Sequence, residues 1–305
     1  MGPPPPRAGH ARDDAQDEAD DAVWRECVAY VRDHARGEAE GLFGPDSLAW
    51  EMYREPVAVL GLLSAVLLQM AHPAVAAGVA QHSTFVEDLQ GRAYRTSSSF
   101  YTLLFGSLDA VMGVSKRLHR MHRPVQGRVT DGDVPNHGAQ YRALDQTLLR
   151  WVAATVTVSG RASFEAFVRK LDPGERETAH REMVLANAAV GVAPSSLPDT
   201  IAGFDAWYAD MLAGPTLAVG ETARRVVDNL RRQPLLWGPF DAFITAAFLP
   251  PTWREAYGFR WGRAEEARFE AMLAAVHAAR RVTPAPYRYV VAWHQADARV
   301  RRARG

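Results

Sequence analysis

From Pro56 to Val86 the chain carries no Asp, Glu, Lys or Arg. A stretch of 31 residues without a formal charge has to be buried in something. Its first half, Val57-Ala-Val-Leu-Gly-Leu-Leu-Ser-Ala-Val-Leu-Leu-Gln-Met70, is long enough to span a bilayer together with its flank. Gln69, His72, Pro73, Gln81 and His82 interrupt the run. Polar side chains facing hydrocarbon are costly but can line a pocket inside a protein. The expected form is therefore a helix buried on all sides within a large helical body, broken at His72–Pro73, where proline disfavours helix in the preceding residue.

The rest of the chain agrees with a helical body. Period-3.6 patterns cover Ala22–Ala39, Ser97–Leu104, Ser107–His122, Asn136–Ser159, Arg161–Lys170, Glu175–Val190, Leu197–Leu212, Gly220–Arg231, Pro239–Leu249, Pro251–Tyr257 and Ala264–Arg281. Strand alternation is almost absent; Trp151–Val158 is one β-like run, and its alanines suit a buried helix as well. With no internal repeat and no low-complexity linker after residue 20, the expectation is an all-α fold in a single domain over 21–298. A disordered tail at 1–20 and a solvated basic tail at 299–305 flank it.

Composition removes several functions. Thirty-five basic and 35 acidic residues balance, whereas a general nucleic-acid binder needs a basic excess. Cys27 is the sole cysteine, so no intramolecular disulfide and no thiolate-only zinc or iron–sulfur site can form. The N-terminal residues hold no apolar signal core, and a reducing, cytoplasmic location is expected. Gly-x-Ser-x-Gly, the P-loop, Gly-x-Gly-x-x-Gly and His-Glu-x-x-His do not occur. A di-iron bundle needs two Glu-x-x-His pairs, and Glu177-Thr-Ala-His180 is the only one.

One constellation carries chemistry. Arg92, Arg95 and Thr96 stand at i, i+3 and i+4, and His119 and His122 at i, i+3, so each set shares a side of a helix. Between them Phe105-Gly-Ser107 can end one helix and cap the next. A hairpin folded at Ser107 brings the two sets level. Imidazole opposite guanidinium and hydroxyl suits an anionic, metal-bearing ligand such as haem. A solvated basic helix is the competing reading of the same histidines. His72 and His82 are expected as hydrogen-bonded residues of the apolar segment.

The run Leu67-Leu-Gln-Met-Ala-His-Pro-Ala-Val-Ala-Ala-Gly-Val-Ala-Gln-His-Ser83 resembles the central signature of a bacterial and fungal family that includes the latex-clearing rubber oxygenase and the membrane-bound oxygenase of mycophenolic acid biosynthesis. Arg92-Ala-Tyr-Arg-Thr96, Phe105-Gly-Ser107, His122-Arg-Pro-Val-Gln-Gly127, Tyr141-Arg-Ala-Leu-Asp145, Leu149-Arg-Trp151 and Thr155 continue the resemblance. It implies a globin-related fold holding b-type haem, with His122 as the axial iron ligand and His119 as neighbour or second choice. It implies further that Arg92 and Thr96 supply distal hydrogen bonds, and that Arg95 stands where the rubber enzyme has a lysine. The base glutamate of that enzyme has no counterpart, and His82 stands near its place. Arg95 or His82 would then assist proton transfer. The expected activity is that of a haem-dependent oxygenase using O₂ on a small apolar substrate. The alternatives are a non-catalytic haem sensor or electron-transfer protein, and a cofactor-free binder of an apolar ligand.

Overall fold

The computed structural model describes residues 8–82, 89–232 and 238–305. Among them the chain runs as α1 (Ala8–His34), α2 (Leu48–Tyr53), α3 (Leu62–Met70), α4 (Pro73–His82), α5 (Leu89–Phe105), α6 (Leu108–His122), β1 (Gln126–Arg128), β2 (Gln140–Arg142), α7 (Gln146–Phe167), α8 (Pro173–Ala189), α9 (Ile201–Ala213), α10 (Glu221–Arg231), α11 (Pro239–Phe248), α12 (Pro251–Ala256), α13 (Arg263–Val282) and α14 (Val291–Arg304). The fold is all-α apart from one two-stranded antiparallel ribbon.

The first half of the uncharged run, through Met70, packs against α7, and the sequence of α7 explains how. Asp145 caps its first turn, accepting from Thr147 N–H at 2.7 Å. Thr155, Ser159 and Ser163 follow at four-residue spacing and form a narrow polar stripe. Each meets a polar group of the apolar run. Gln69 donates to Thr155 Oγ1 at 3.0 Å, Ser64 and Ser159 hydroxyls lie 3.1 Å apart, and Gly61 N–H donates to Ser163 Oγ at 3.1 Å. Trp151 Nε1 donates to the Leu68 carbonyl at 3.2 Å. The polar atoms of α3 are thus satisfied inside the protein, while Leu67, Leu68 and Met70 are buried around them. Burial of each such side chain is worth roughly 1.5–3 kcal/mol. The run bends by 97° between Pro56–Met70 and Pro73–His82, at the expected proline. No single helix among the described residues is long and apolar enough to cross a membrane.

Two apolar clusters flank α7. Trp151 and Ala154 face one with Leu67, Phe204 and Val227. Phe164 faces the other, with Trp50, Tyr53, Leu104, Phe105 and Val111 and the α1 and α14 residues Cys27, Val31, Ala296 and Val300.

Four expectations are corrected. The stretch expected as a tail at 1–20 is helical from Ala8 onward, and its Asp17 and Asp20 dock on other elements, as described below. The tail expected at 299–305 belongs to α14, a helix the periodicity missed. Arg299 donates from Nε to the Ala39 carbonyl at 2.9 Å and from Nη2 to the Phe105 carbonyl at 2.6 Å. The helix expected from Asn136 starts only at Gln146. Asn136 and Gly138 take left-handed backbone (φ 62° and 77°) in the turn that precedes β2, and a turn of that hand stops a helix. Finally α7 continues through Gly160, where a boundary between helices was expected; a Cβ there would stand 2.3 Å from the Tyr53 hydroxyl. The β-like Trp151–Val158 run is helical.

Candidate functional site

The hairpin forms where the sequence places it. Gly106 N–H closes α5 by donating to Thr102 O at 2.8 Å. Ser107 caps α6, its Oγ accepting from Ala110 N–H at 3.3 Å. No side chain is tolerated at this corner, because a Cβ on Gly106 would lie 2.4 Å from Thr102 O. Gly41, in left-handed backbone, packs directly against the Gly106 carbonyl. Arg117 donates to Ser99 Oγ at 2.9 Å across the pair. That contact sets a register in which the Arg92–Thr96 turn of α5 is level with His119–His122 of α6.

Each arm carries one stripe into the core. On α5 it is Phe100 and Leu104, with Thr96 at the same spacing of four. Leu104 is buried and Phe100 half-buried, but Thr96 is exposed. On α6 the stripe is Val111, Ser115, Leu118 and His122. Val111 and Ser115 are buried; Leu118 and His122 are half-buried. The two stripes therefore pack at the closed end of the hairpin and leave the core at its open end. Among the described residues, Thr96 is exposed and His122 half-buried at that end. Arg95, one residue from the stripe, is exposed. Arg92 lies in α5, but its side chain is outside the described residues.

The two histidines of α6 part company. His119 turns toward α1, donating from Nε2 to Asp21 at 2.7 Å and stacking on Trp24 with ring centroids 4.8 Å apart. Trp24 Nε1 in turn donates to Ser115 Oγ at 3.2 Å. The acidic face of α1 also reaches Arg123, through Asp17 at 3.5 Å and Asp21 at 3.4 Å. Arg142 of β2 bonds Asp20 at 3.0 Å and makes a short contact with Asp17. His119 is thereby committed to holding α1 in place. His122 stands one turn on, half-buried at the open end of the hairpin.

His82 reaches the same end from α4. It is exposed, and its Nε2 donates to the Gln126 carbonyl at 2.8 Å, four residues beyond His122. Beside it Gln81 donates to Arg128 O at 2.9 Å and accepts from Tyr141 OH at 2.9 Å. A Cβ on Gly127 would lie 2.4 Å from Gln81 Oε1, so the glycine admits this contact. The ribbon ties α4 to the segment that follows α6; neither strand was legible in the sequence.

His72 is elsewhere. It is buried at the α3–α4 break, and its Nδ1 has no hydrogen-bond partner among the described residues. Burial pushes its imidazole below the ordinary value against the opposing pull of Asp145, which keeps it neutral. Cys27 is buried, and burial together with Glu26 pushes its thiol up to about 12, which makes it a poor nucleophile.

The donor set discriminates between kinds of metal site. Among the described residues no three of His, Cys, Asp and Glu converge as a bare ion would require. Haem iron asks the protein for one imidazole and for cations near its carboxylates. A half-buried His122 level with the arginine-bearing turn of α5 fits that second demand.

A model of the family described as ER-bound oxygenase mpaB/B'/rubber oxygenase, catalytic domain, matches residues 50–278. Uncharacterised proteins of Mycobacterium bovis and Mycobacterium tuberculosis are each 22% identical over 230 residues, covering 72% of this chain and 87% of theirs. No solved structure matches.

Proposed function

The chain belongs to the mpaB/rubber oxygenase catalytic-domain family, and on that premise we propose that it is a b-haem oxygenase acting with O₂ on a small apolar substrate. The observation that carries the reading is the shared end point of the two hairpin stripes. Thr96 and His122 leave the packed core at the same level of the hairpin, on opposite arms.

Bound haem supplies the O₂ chemistry; the chain supplies position and charge. His122, in the last turn of α6, would hold the haem iron through its imidazole. His119 is occupied by Asp21 and serves as its support. Thr96 contributes a hydroxyl donor on the distal side. Arg92 and Arg95 hold permanent positive charge there, since a guanidinium does not deprotonate in proteins. Arg95 stands where the resemblance places a lysine in the rubber enzyme, and it would pair with a haem carboxylate rather than bind iron. His82 is the titratable group within reach of this end and moves the proton. A cytoplasmic location fits the single cysteine.

Arg95 also supports a second reading, a haem sensor or electron-transfer protein. Two measurements separate the readings. The purified protein, or the apoprotein titrated with haemin, should give a Soret band at one haem per chain. Absence of any Soret band after titration overturns both haem readings. Oxygen uptake driven by an apolar alkene then identifies the oxygenase; a stable haem protein that consumes no oxygen with such substrates is the sensor or carrier.

A further inference from the structure

On the other side of α7, residues Glu55–Val57 and the α13–α14 corner enclose a groove of about 210 Å³. That is the liquid volume of about seven waters. Pro56, Val57, Val276 and Ala279 form its apolar walls. Its charged residues are Glu55, Arg280 and Arg288, a surplus of one positive charge.

The surplus is localised. Arg280 forks onto Glu55, with Nε at 2.7 Å and Nη2 at 2.9 Å from the two carboxylate oxygens, and Nη1 donates to Val168 O at 3.0 Å. Glu55 is 3% exposed, and this bidentate pair satisfies it. Arg288 is the second cation on an acid already taken. Its Nη1 stands 3.3 Å from Glu55, and its Nε has no hydrogen-bond partner among the described residues. The two guanidiniums share one carboxylate, and an anion entering the groove would balance the charge left over.

Apolar walls and a surplus of one positive charge match a molecule with a single negative head and an alkyl body. We propose that this groove is a binding site for an amphiphilic monoanion, its carboxylate or phosphate head on Arg288 and its chain along Val57, Val276 and Ala279. The site is separate from the hairpin, and both its arginines lie beyond the stretch matched by the family model.

Isothermal titration calorimetry with sodium octanoate tests it. Octanoate should bind the full-length protein at least tenfold more tightly than octanol, which has the chain without the charge, or acetate, which has the charge without the chain. Arg288→Met, which keeps the apolar stem, should weaken octanoate at least tenfold, and Ala279→Leu, which fills the groove, should abolish binding. The octanol and acetate comparison on wild type stands even where a variant fails to fold. Cosedimentation with phosphatidylglycerol vesicles then identifies the source of the head: pelleting of wild type but not of Arg288→Met points to a membrane lipid, and octanoate binding without pelleting to a free amphiphile. Octanoate that does not bind, binds no better than octanol, or binds both folded variants as it binds wild type overturns the site.

Discussion

Replacing the two histidines of α6 one at a time should produce opposite losses. His119 holds α1 through one hydrogen bond to a carboxylate and one ring stack. A hydrogen bond to a charged group contributes roughly 1.5–3 kcal/mol. Asp21 is 30% exposed, so the lower end applies. The stack on Trp24 adds roughly 0.5–1.5 kcal/mol. His119→Ala should therefore cost about 2 kcal/mol, read as a lower urea midpoint, and retain haem. His122→Ala removes a half-buried ring; it should cost about 1 kcal/mol and abolish the Soret band. The assay is paired: haem per chain after haemin titration, and urea unfolding of the apoproteins followed by circular dichroism. The reasoning fails if His122→Ala keeps wild-type haem content. It also fails if His119→Ala empties the protein of haem while leaving its stability untouched, because the two imidazoles would then have exchanged roles.

Arg95→Lys should move the ferric spectrum from high-spin toward six-coordinate low-spin, since an amine can lose its proton and ligate iron where a guanidinium cannot; a wild type already low-spin with two nitrogen ligands refutes the open distal side. Gly160→Ala should destabilise by roughly 1–3 kcal/mol through overpacking, because its Cβ would meet the Tyr53 hydroxyl at 2.3 Å. Tyr53→Phe should recover part of that loss in the double variant and be near neutral alone, as the hydroxyl has no partner among the described residues; a purely additive double-mutant cycle would count against the contact. His72 is depressed by burial, so between that lowered value and the ordinary value of about 6.5 the unfolded chain binds a proton that the folded chain does not. Its contribution is fully present above about pH 6.5 and is lost as pH falls through that window; the drop in urea midpoint from pH 7 to pH 5 should be smaller in His72→Gln than in wild type.

Most of the helical map was legible because burial patterns with a period near 3.6 survive in sequence. The corner at Gly106–Ser107 was legible for the same reason that it forms: a glycine that admits no Cβ and a serine that caps. What escaped the pattern was determined by partners distant in sequence. The ribbon is three residues per strand and exists because Gln81 and His82 of α4 bond its backbone. The division between His119 and His122 escaped as well. Residues three apart on a helix differ by about 60° in direction, and a helix packed on two sides turns that angle into two different neighbours. Nothing near His119 in sequence announces Asp21 or Trp24, 98 and 95 positions earlier.

Both misread tails meet at the hairpin, and that locates their purpose. The family's matched stretch begins at residue 50 and ends at residue 278, so α1 and α14 lie outside it. Yet α1 fixes the open end, where Asp17, Asp20 and Asp21 engage His119, Arg123 and Arg142, and α14 fixes the closed end, where Arg299 takes the last carbonyl of α5. A helix pair whose core stripes stop short of its open end has little packing of its own there to hold the arms at a fixed spacing. Ionic and hydrogen-bonded braces supply that spacing from outside the pair. An apolar brace across the same end would cover Thr96 and His122 with side chains. Charged termini that read as solvated tails are thus the composition a fold needs if the end of its hairpin is to be held firmly and still stay open to a ligand.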